Sequence, residues 1–223
     1  GGVIQVFTHR GQSERRASVD IGVGEQGTRR LRAALSGAAG ATDSTRYSLN
    51  LSHYATNGFS AQNAANSGTT NPDRDGYRNL SLSASLAHRF NADHEAGARY
   101  LSSDGRIEFD NAFAASVNDR HTADARVGMF ALYTYNRIAS RWLSKLGYSL
   151  GRDQSDAFLN GTATSRTKSR NTQLAWQNDT PGGYVCHLSL STQFACLKRW
   201  PGYTRAANSP GRTPQPFFHT VRH

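Results

Sequence analysis

The segment Asn71-Pro72-Asp73-Arg74-Asp75-Gly76-Tyr77 carries oxygen-bearing side chains at alternate positions, with a glycine after them. Calcium-binding loops gather hard oxygen ligands around one ion in a similar pattern. A turn held by Asx hydrogen bonds would have the same composition. The next long polar stretch also offers carboxylates, at Asp110 and Asp119. If both stretches are loops on the same side of a sheet, these residues are candidate ligands of a metal site.

Two glycine motifs match enzyme fingerprints by spacing alone. Gly22-x-Gly24-x-x-Gly27 has the spacing of a dinucleotide-binding turn, but a predicted strand follows it where that motif needs a helix. Ser149 occupies a G-x-S-x-G segment inside an alternating strand, whereas a nucleophile elbow needs a sharp turn into a helix. The scattered histidines lack both metal-ligand spacing and a nearby carboxylate pair: His53, His88, His94 and His121. We therefore predict no enzymatic activity.

Residues 80–103 show the clearest structural pattern in the chain. Leucine or alanine alternates with serine or alanine from Leu80 to Ala87, and this period of two predicts a half-buried strand. Asn91 to His94 predict a tight polar turn, after which the alternation resumes. Each arm is about ten residues long, enough for a tilted strand to cross a bilayer. The second face carries Ser, Gly and Arg, which suits a wet lumen better than a packed core.

Similar alternation recurs on both sides of this hairpin. Predicted long loops at residues 55–78, 104–120 and 153–166 alternate with short turns, which is typical of an outer-membrane barrel. We predict an all-β fold, a segment of an antiparallel transmembrane β-barrel with about eight or nine meander strands. A soluble sandwich would also have alternating strands, but the loop rhythm and the polar second face favour the barrel. Aromatic residues near the short turns predict an aromatic girdle: Phe90, Tyr133, Tyr135, Trp142 and Trp176.

Composition and charge limit the alternatives. Only 37% of the 223 residues are hydrophobic, and no apolar run reaches the 18 residues of a membrane-spanning helix. The net charge of +10 would suit a nucleic-acid partner. However, half of the surplus lies after Asp179, and the other arginines lie mostly at predicted strand ends and turns. We therefore predict no nucleic-acid partner, because charge alone indicates non-specific attraction.

The chain changes character from residue 185 onward. Acidic residues are absent, alternation fades after about Ala195, and prolines accumulate at Pro201, Pro210, Pro214 and Pro216. Proline removes a donor from a strand ladder, so residues 200–223 are not expected to form barrel strands. We expect an aberrant, irregular C-terminal tail, which is either frame-shifted or a disordered native end.

Three segments resemble TonB-dependent outer-membrane receptors. The opening GGVIQVFT resembles the end of their plug domain, and PDRDGYRN at residues 72–79 and HRFNADHEAG at residues 88–97 resemble the vitamin B12 (cobalamin) receptor branch. The resemblance covers about residues 1–184 and implies a barrel of about 22 strands that encloses a plug. It implies a location in the cell outer membrane and energy from the TonB complex. The implied domains are the end of the plug at residues 1–8, a partial barrel at residues 9–184, and the aberrant tail at residues 185–223.

The resemblance also implies a calcium site in the extracellular loops, where ordered loops help to bind substrate. It assigns the ligands to Asn71, Asp73 and Asp75 in one loop, and to the Phe109 backbone, Asp110 and Asp119 in the next. Tyrosine is usual in the family where Phe109 stands, and glutamine where Asn71 stands. The spacing from Asp110 to Asp119 also differs from that of the family.

The expected function is that of a fragment of a receptor for active cobalamin uptake, which would not transport alone. The signal peptide, the TonB box and nearly all of the plug are expected upstream of these residues. Partners expected in the intact relative are cobalamin or another large chelate and the TonB complex, with a monomeric barrel. Two alternatives remain open: a fragment of a ferric-siderophore or haem receptor, and a soluble basic β-rich binding domain.

Overall fold

A computed structural model describes residues 14–40, 42–60, 62, 71–111, 113–180, 184–189 and 193–198, the last two ranges as backbone only. The predicted end of the plug at residues 1–8 and the proline-rich segment at residues 199–223 lie outside the described residues. In the part of the chain that is described, no helix is long and apolar enough to cross a membrane.

Ten strands form one antiparallel sheet in which each strand pairs with its sequence neighbour. The predicted all-β antiparallel meander is therefore confirmed. No pairing joins the first and last described strands, so the sheet is open, and its closure into a membrane barrel stays a prediction. The strands are β1 Arg16–Gly24, β2 Thr28–Ala39, β3 Thr45–Thr56, β4 Tyr77–Arg89, β5 His94–Phe109, β6 His121–Ala139, β7 Trp142–Leu159, β8 Thr162–Asp179, β9 Tyr184–Ser189 and β10 Gln193–Lys198.

The strand order continues past residue 184, where the sequence predicts that the barrel segment ends. β9 pairs with β8 from Asp179 opposite Val185 to Ala175 opposite Ser189, and β10 pairs with β9. Two further strands therefore lie within the segment that was expected to be irregular.

One predicted loop is absent from the structure. Residues 153–166 were expected to form a long loop, but β7 continues to Leu159 and β8 begins at Thr162. Asn160 and Gly161 form the two-residue turn between them, with φ values of 51° and 81°. Asn-Gly favours this turn because both central residues need positive φ. The prediction is wrong because β7 is polar on both faces from Arg152 to Asp156 and β8 from Thr164 to Gln173, so neither segment shows an alternation of apolar and polar residues.

The register divides the sheet into two faces, since directly opposed residues lie on the same side. Leu49 lies opposite Leu35 and Ala84, and Tyr100 lies opposite Ala84 and Phe130. We call the side that holds these residues the apolar face. No second layer covers it, because Ala38 is the single buried hydrophobic residue among those described. Its large side chains are 37–86% exposed: Val19, Ile21, Val23, Leu31, Leu35, Leu49, Leu51, Leu80, Leu86, Tyr100, Phe130, Leu132, Trp142, Leu146, Tyr148 and Trp176.

The opposite side, which we call the polar face, is linked by hydrogen bonds between side chains. Ser48 Oγ lies 2.7 Å from Ser85 Oγ, and Asn79 Nδ2 donates to Ser103 Oγ at 2.9 Å. These bonds satisfy hydroxyl and amide groups without a core. The predicted alternation of the two faces is thus observed on the neighbouring strands that carry these residues.

Two aromatic residues of the predicted girdle lie on the polar face instead. Tyr133 lies opposite Gly97, and Tyr135 lies opposite Lys145. The Tyr133 ring packs over the glycine, where a Cβ would lie 2.5 Å from ring atoms. The Arg99 guanidinium lies 4.9 Å from the centre of the same ring. The prediction failed for these residues because Phe130 and Leu132 occupy the apolar face of β6.

The connections lie at two ends of the sheet. The end that we call the loop end carries the β3–β4 and β5–β6 connections, together with the tight turns of β1–β2 and β7–β8. The other end carries the β2–β3, β4–β5 and β6–β7 connections, which are shorter than the β3–β4 and β5–β6 connections and include the predicted turn after Phe90. There the N–H groups of Asp93 and His94 both donate to Asn91 Oδ1 at 2.9 Å. This arrangement confirms the predicted Asn turn.

Candidate metal centre

The β3–β4 and β5–β6 connections meet at the loop end. The Glu108 N–H donates to the Gly76 carbonyl at 2.8 Å, and the Gly76 N–H donates to Glu108 Oε2 at 3.3 Å. These two bonds hold the start of β4 against the end of β5. Residues just before β4 therefore lie next to residues just after β5.

Asp73, Asp75 and Asp110 come together at this junction. One carboxylate oxygen from each lies within 4.8 Å of the others, and all three residues are partly buried. Oxygens that share one Ca²⁺ at about 2.4 Å can lie at most about 4.8 Å apart, so the separation is compatible with a single ion. Carboxylates at this spacing repel one another unless a cation or a proton lies between them. Calcium binding at this cluster stays a prediction, and the spacing of the three carboxylate oxygens is compatible with it.

Asp110 is oriented by the first part of the β3–β4 connection. Ser60 Oγ donates to Asp110 Oδ2 at 3.0 Å, and the Gln62 N–H donates to the same oxygen at 3.3 Å. An ionised carboxylate has about four lone-pair sites, so these bonds leave capacity for a metal. The two loops are thus cross-linked through a candidate ligand.

The other three predicted ligands lie beside this cluster. Asp119 lines a small cavity of about 10 Å³ together with Phe109, Asp73 and Asp75. Asn160 Nδ2 donates to Asp119 Oδ1 at 3.0 Å, and the Ser116 N–H donates to Asp119 Oδ2 at 3.0 Å. Asn71 Nδ2 donates to the Asp119 carbonyl at 3.5 Å. The structure therefore brings three of the six candidates into one cluster and places Asn71, Phe109 and Asp119 around it.

The pKa of Asp119 lies below its ordinary value. The Asn160 side-chain hydrogen bond is the largest cause, burial opposes it, and main-chain N–H groups of the loop and His121 assist. A lowered pKa keeps this carboxylate charged at neutral pH. The stability that its hydrogen bonds provide is present above the unfolded-state pKa and is lost as the pH falls through the lower folded-state pKa.

Sequence reasoning missed three residues at this site. Arg120 Nε lies 3.6 Å from Asp73 Oδ2, and its Nη2 lies 3.3 Å from Glu108 Oε1. His121 lines the small cavity, and its buried Nε2 has no hydrogen-bond partner among the described residues. Asn160 was detectable through its Asn-Gly turn. Neither Arg120 nor His121 carries a local signal, because only the pairing of distant strands brings them here.

A larger cavity of about 930 Å³ opens at the same end of the sheet. Four arginines and one acid are among the residues that line it: Arg74, Arg78, Arg106, Arg120 and Glu108. Arg78 and Arg106 lie directly opposite each other on β4 and β5. The cavity therefore has a positive wall next to the acidic cluster.

Gly58→Ala is expected to weaken calcium binding by roughly tenfold or more, because it should displace Asp75. Gly58 has a φ of 65°, and a Cβ there would lie 1.9 Å from the Asp75 carbonyl oxygen. Calcium titration by isothermal calorimetry would measure the effect. Gly128→Ala is the matched control, since nothing lies within 4 Å of a Cβ at that position. Equal affinities for the two variants would contradict the described loop contact.

No protein-family model matches the chain, so its assignment depends on the residues and geometry described above.

Proposed function

We propose that this chain forms part of a TonB-dependent outer-membrane receptor for cobalamin, with a calcium site in its extracellular loops. The observation that carries the proposal is a single sheet with one exposed apolar face and one hydrogen-bonded polar face. Lipid would cover the first face, and a water-filled lumen would hydrate the second. The resemblance to receptor segments supplies the particular family and substrate.

The large apolar side chains of the apolar face form a band, which we call the apolar band and which runs obliquely across the strands. Its limit towards the loop end is Leu31 on β2 and Leu174 on β8. Starting from Leu174 and moving from each strand to the directly opposed residue of the next leads to Gly37 on β2. Gly37 lies six residues further from the loop end than Leu31. Six residues span about 20 Å, and six strand spacings span about 29 Å, which gives a slope of roughly 35°. Transmembrane barrel strands tilt by 35–45°, so the slope supports a membrane position.

Two tryptophans lie on the apolar face towards the opposite end of the sheet. Trp142 Nε1 donates to Asn178 Oδ1 at 3.1 Å, and Trp176 Nε1 donates to Ser144 Oγ at 2.9 Å. Both rings remain exposed while their N–H groups have partners. This combination suits the membrane interface, where amphipathic rings lie at headgroup level.

The two free edges of an open sheet leave main-chain groups unpaired, which costs free energy in hydrocarbon, so the chain alone would insert less stably than a closed barrel. In the intact receptor, further strands would complete the sheet. The acidic cluster then lies at the rim of the barrel, and calcium would order the two loops that it joins. The resemblance relates such ordering to cobalamin recognition, whereas the siderophore alternative needs no calcium.

A pair of tryptophan variants tests the membrane position. In a chain whose Trp142, Trp176 and Trp200 are replaced by phenylalanine, Leu132→Trp is expected to be quenched strongly by brominated acyl chains in phosphatidylcholine vesicles. Tyr133→Trp, one residue away on the polar face, is the control and should be quenched much less. Equal quenching at both positions, or none, would reject the proposed arrangement of faces.

Ligand binding separates cobalamin from the other chelates. The refolded full chain in detergent micelles is expected to retain cobalamin in the presence of Ca²⁺ and to lose it when a chelator removes the ion. Binding of an iron chelate without calcium would favour the siderophore receptor instead. A folded monomer that stays in solution without detergent would favour the soluble basic domain.

A further inference from the structure

Charged residues replace leucine on the apolar face where the band ends towards the loop end. On β7, Arg152 follows Leu150 on the same side, and on β8 Lys168 and Arg170 lie beyond Leu174. We call Arg152, Lys168 and Arg170 the basic cluster. All three are exposed, and their backbone positions adjoin the apolar band.

Arg152 and Arg170 lie directly opposite each other in the β7–β8 register. Directly opposed like charges destabilise a strand pair. On the same face, the next opposed pair is Lys168 and Gln154, which contains no acidic residue to offset the positive charge. Among the described residues, no ion pair involves any member of the basic cluster. Sheet stability therefore does not explain the cluster, and an external anion would relieve its repulsion.

The acids nearby are already engaged by other cations. Asp156 accepts from Arg166 Nε at 2.5 Å and lies 3.8 Å from Arg126 Nη1. Its side chain is 4% exposed, so it offers little to a further partner. Arg126 also pairs with Asp104 at 3.2 Å. The neighbouring part of the face is thus nearly neutral, whereas the basic cluster keeps its charge.

Space for a ligand exists beside the basic cluster. Gly128 lies opposite Arg152 on β6, and a Cβ there would meet nothing within 4 Å. A polar headgroup could therefore approach Arg152 from the side of β6. Leu150 and its opposed residue Thr172 form the adjoining row, so an acyl chain attached to that headgroup would meet the apolar band.

We propose that the basic cluster binds the phosphate headgroup of a lipid whose acyl chains cover the apolar band. This inference depends on the proposed function, since it requires the apolar face to contact lipid. Arginine suits phosphate because its planar guanidinium donates two parallel hydrogen bonds. A free phosphate would match the charge, but it would not use the adjoining apolar surface. A nucleic acid would match the charge too, but the exposed leucines beside the cluster would remain uncovered.

The test uses the full chain with phosphatidylcholine vesicles, either pure or containing phosphatidic acid. We expect the wild type to bind the phosphatidic acid vesicles roughly tenfold more tightly or better, because each basic residue near an anionic surface adds attraction. The combined variant Arg152→Gln, Lys168→Gln, Arg170→Gln should lose most of this preference. Its binding to pure phosphatidylcholine should remain close to that of the wild type.

A variant with the same loss of charge on the polar face is the control. Arg30, Arg32 and Lys145 lie on that face, as the register of β1–β3 and β6–β8 shows. Arg30→Gln, Arg32→Gln, Lys145→Gln should retain the preference for phosphatidic acid. An equal loss in both variants would overturn the proposal, because net charge alone would then explain the attraction.

Three further outcomes would also overturn it. One is the absence of any preference by the wild type. Another is complete competition by millimolar inorganic phosphate, which would indicate a site for free phosphate. The third is tighter binding of a duplex oligonucleotide that the cluster variant loses.

Quenching at Leu132→Trp distinguishes failure of this inference from failure of the proposed function. If quenching persists without a lipid preference, only this inference fails. If quenching is absent, the proposed function fails.

Discussion

Replacing Asp73 and Asp110 together by asparagine is expected to lower calcium affinity by about 100-fold or more. The ligand oxygens of these residues and Asp75 lie within 4.8 Å of one another, so one ion would contact all three. Calcium affinity depends strongly on the number of charged ligands, and the double replacement removes two of the three clustered charges. Terbium luminescence with calcium competition, on the refolded chain in detergent, measures the affinity.

The control for this change removes two charges at the opposite end of the sheet. Asp43 lies in the β2–β3 turn, and Asp93 lies in the β4–β5 turn, 3.5 Å from Arg137. Asp43→Asn with Asp93→Asn should leave calcium affinity within about twofold, since both positions lie well beyond a Debye length of about 10 Å. If both double variants lost affinity equally, general electrostatics would explain the effect and the site would be rejected.

Leu132→Lys is expected to reduce the membrane-inserted fraction of the chain by roughly 30- to 1000-fold. Lysine on the lipid face near the bilayer midplane costs about 2–4 kcal/mol in a transmembrane barrel. Leu132 lies opposite Ala98 and Tyr148 in the apolar band and is 46% exposed. Flotation of phosphatidylcholine vesicles, combined with protease protection, measures the inserted fraction.

Ser149→Lys is the matched control, because Ser149 adjoins Tyr148 and belongs to the polar face. There it lies opposite Ala131 and Gln173. A lysine at this position would remain hydrated in a lumen, so insertion should change little. Comparable losses for the two variants would show that both faces have the same surroundings, which is incompatible with a bilayer on one side.

The strand meander could be predicted because its signal is local. Period-two alternation at Leu80 and the following residues determines which face each side chain occupies, and Asn91 determines its turn. β6 shows the limit of this reasoning, since both of its faces contain large apolar residues: Val127 and Met129 on one, Phe130 and Leu132 on the other. Only its register with β5 distinguishes the apolar face from the polar face.

The candidate site divides in a similar way between local and long-range information. Oxygen-bearing residues at alternate positions identified Asp73 and Asp75 without knowledge of the fold. Asp110 could be proposed only by assuming that two long loops share one end of a sheet. Arg120 and His121 could not be inferred, because their contacts depend on the pairing of β5, β6 and β7.

The oblique course of the apolar band also determines how much of a closed wall these strands can supply. At a slope of roughly 35°, each strand occupies about 6 Å of perimeter, so ten strands cover about 60 Å. A barrel of about 22 strands, which the family resemblance implies, has a perimeter of about 130 Å at the same slope. The described sheet would therefore form a little under half of that circumference. The remaining strands of such a barrel would need an apolar outer surface and would have to pair with both free edges.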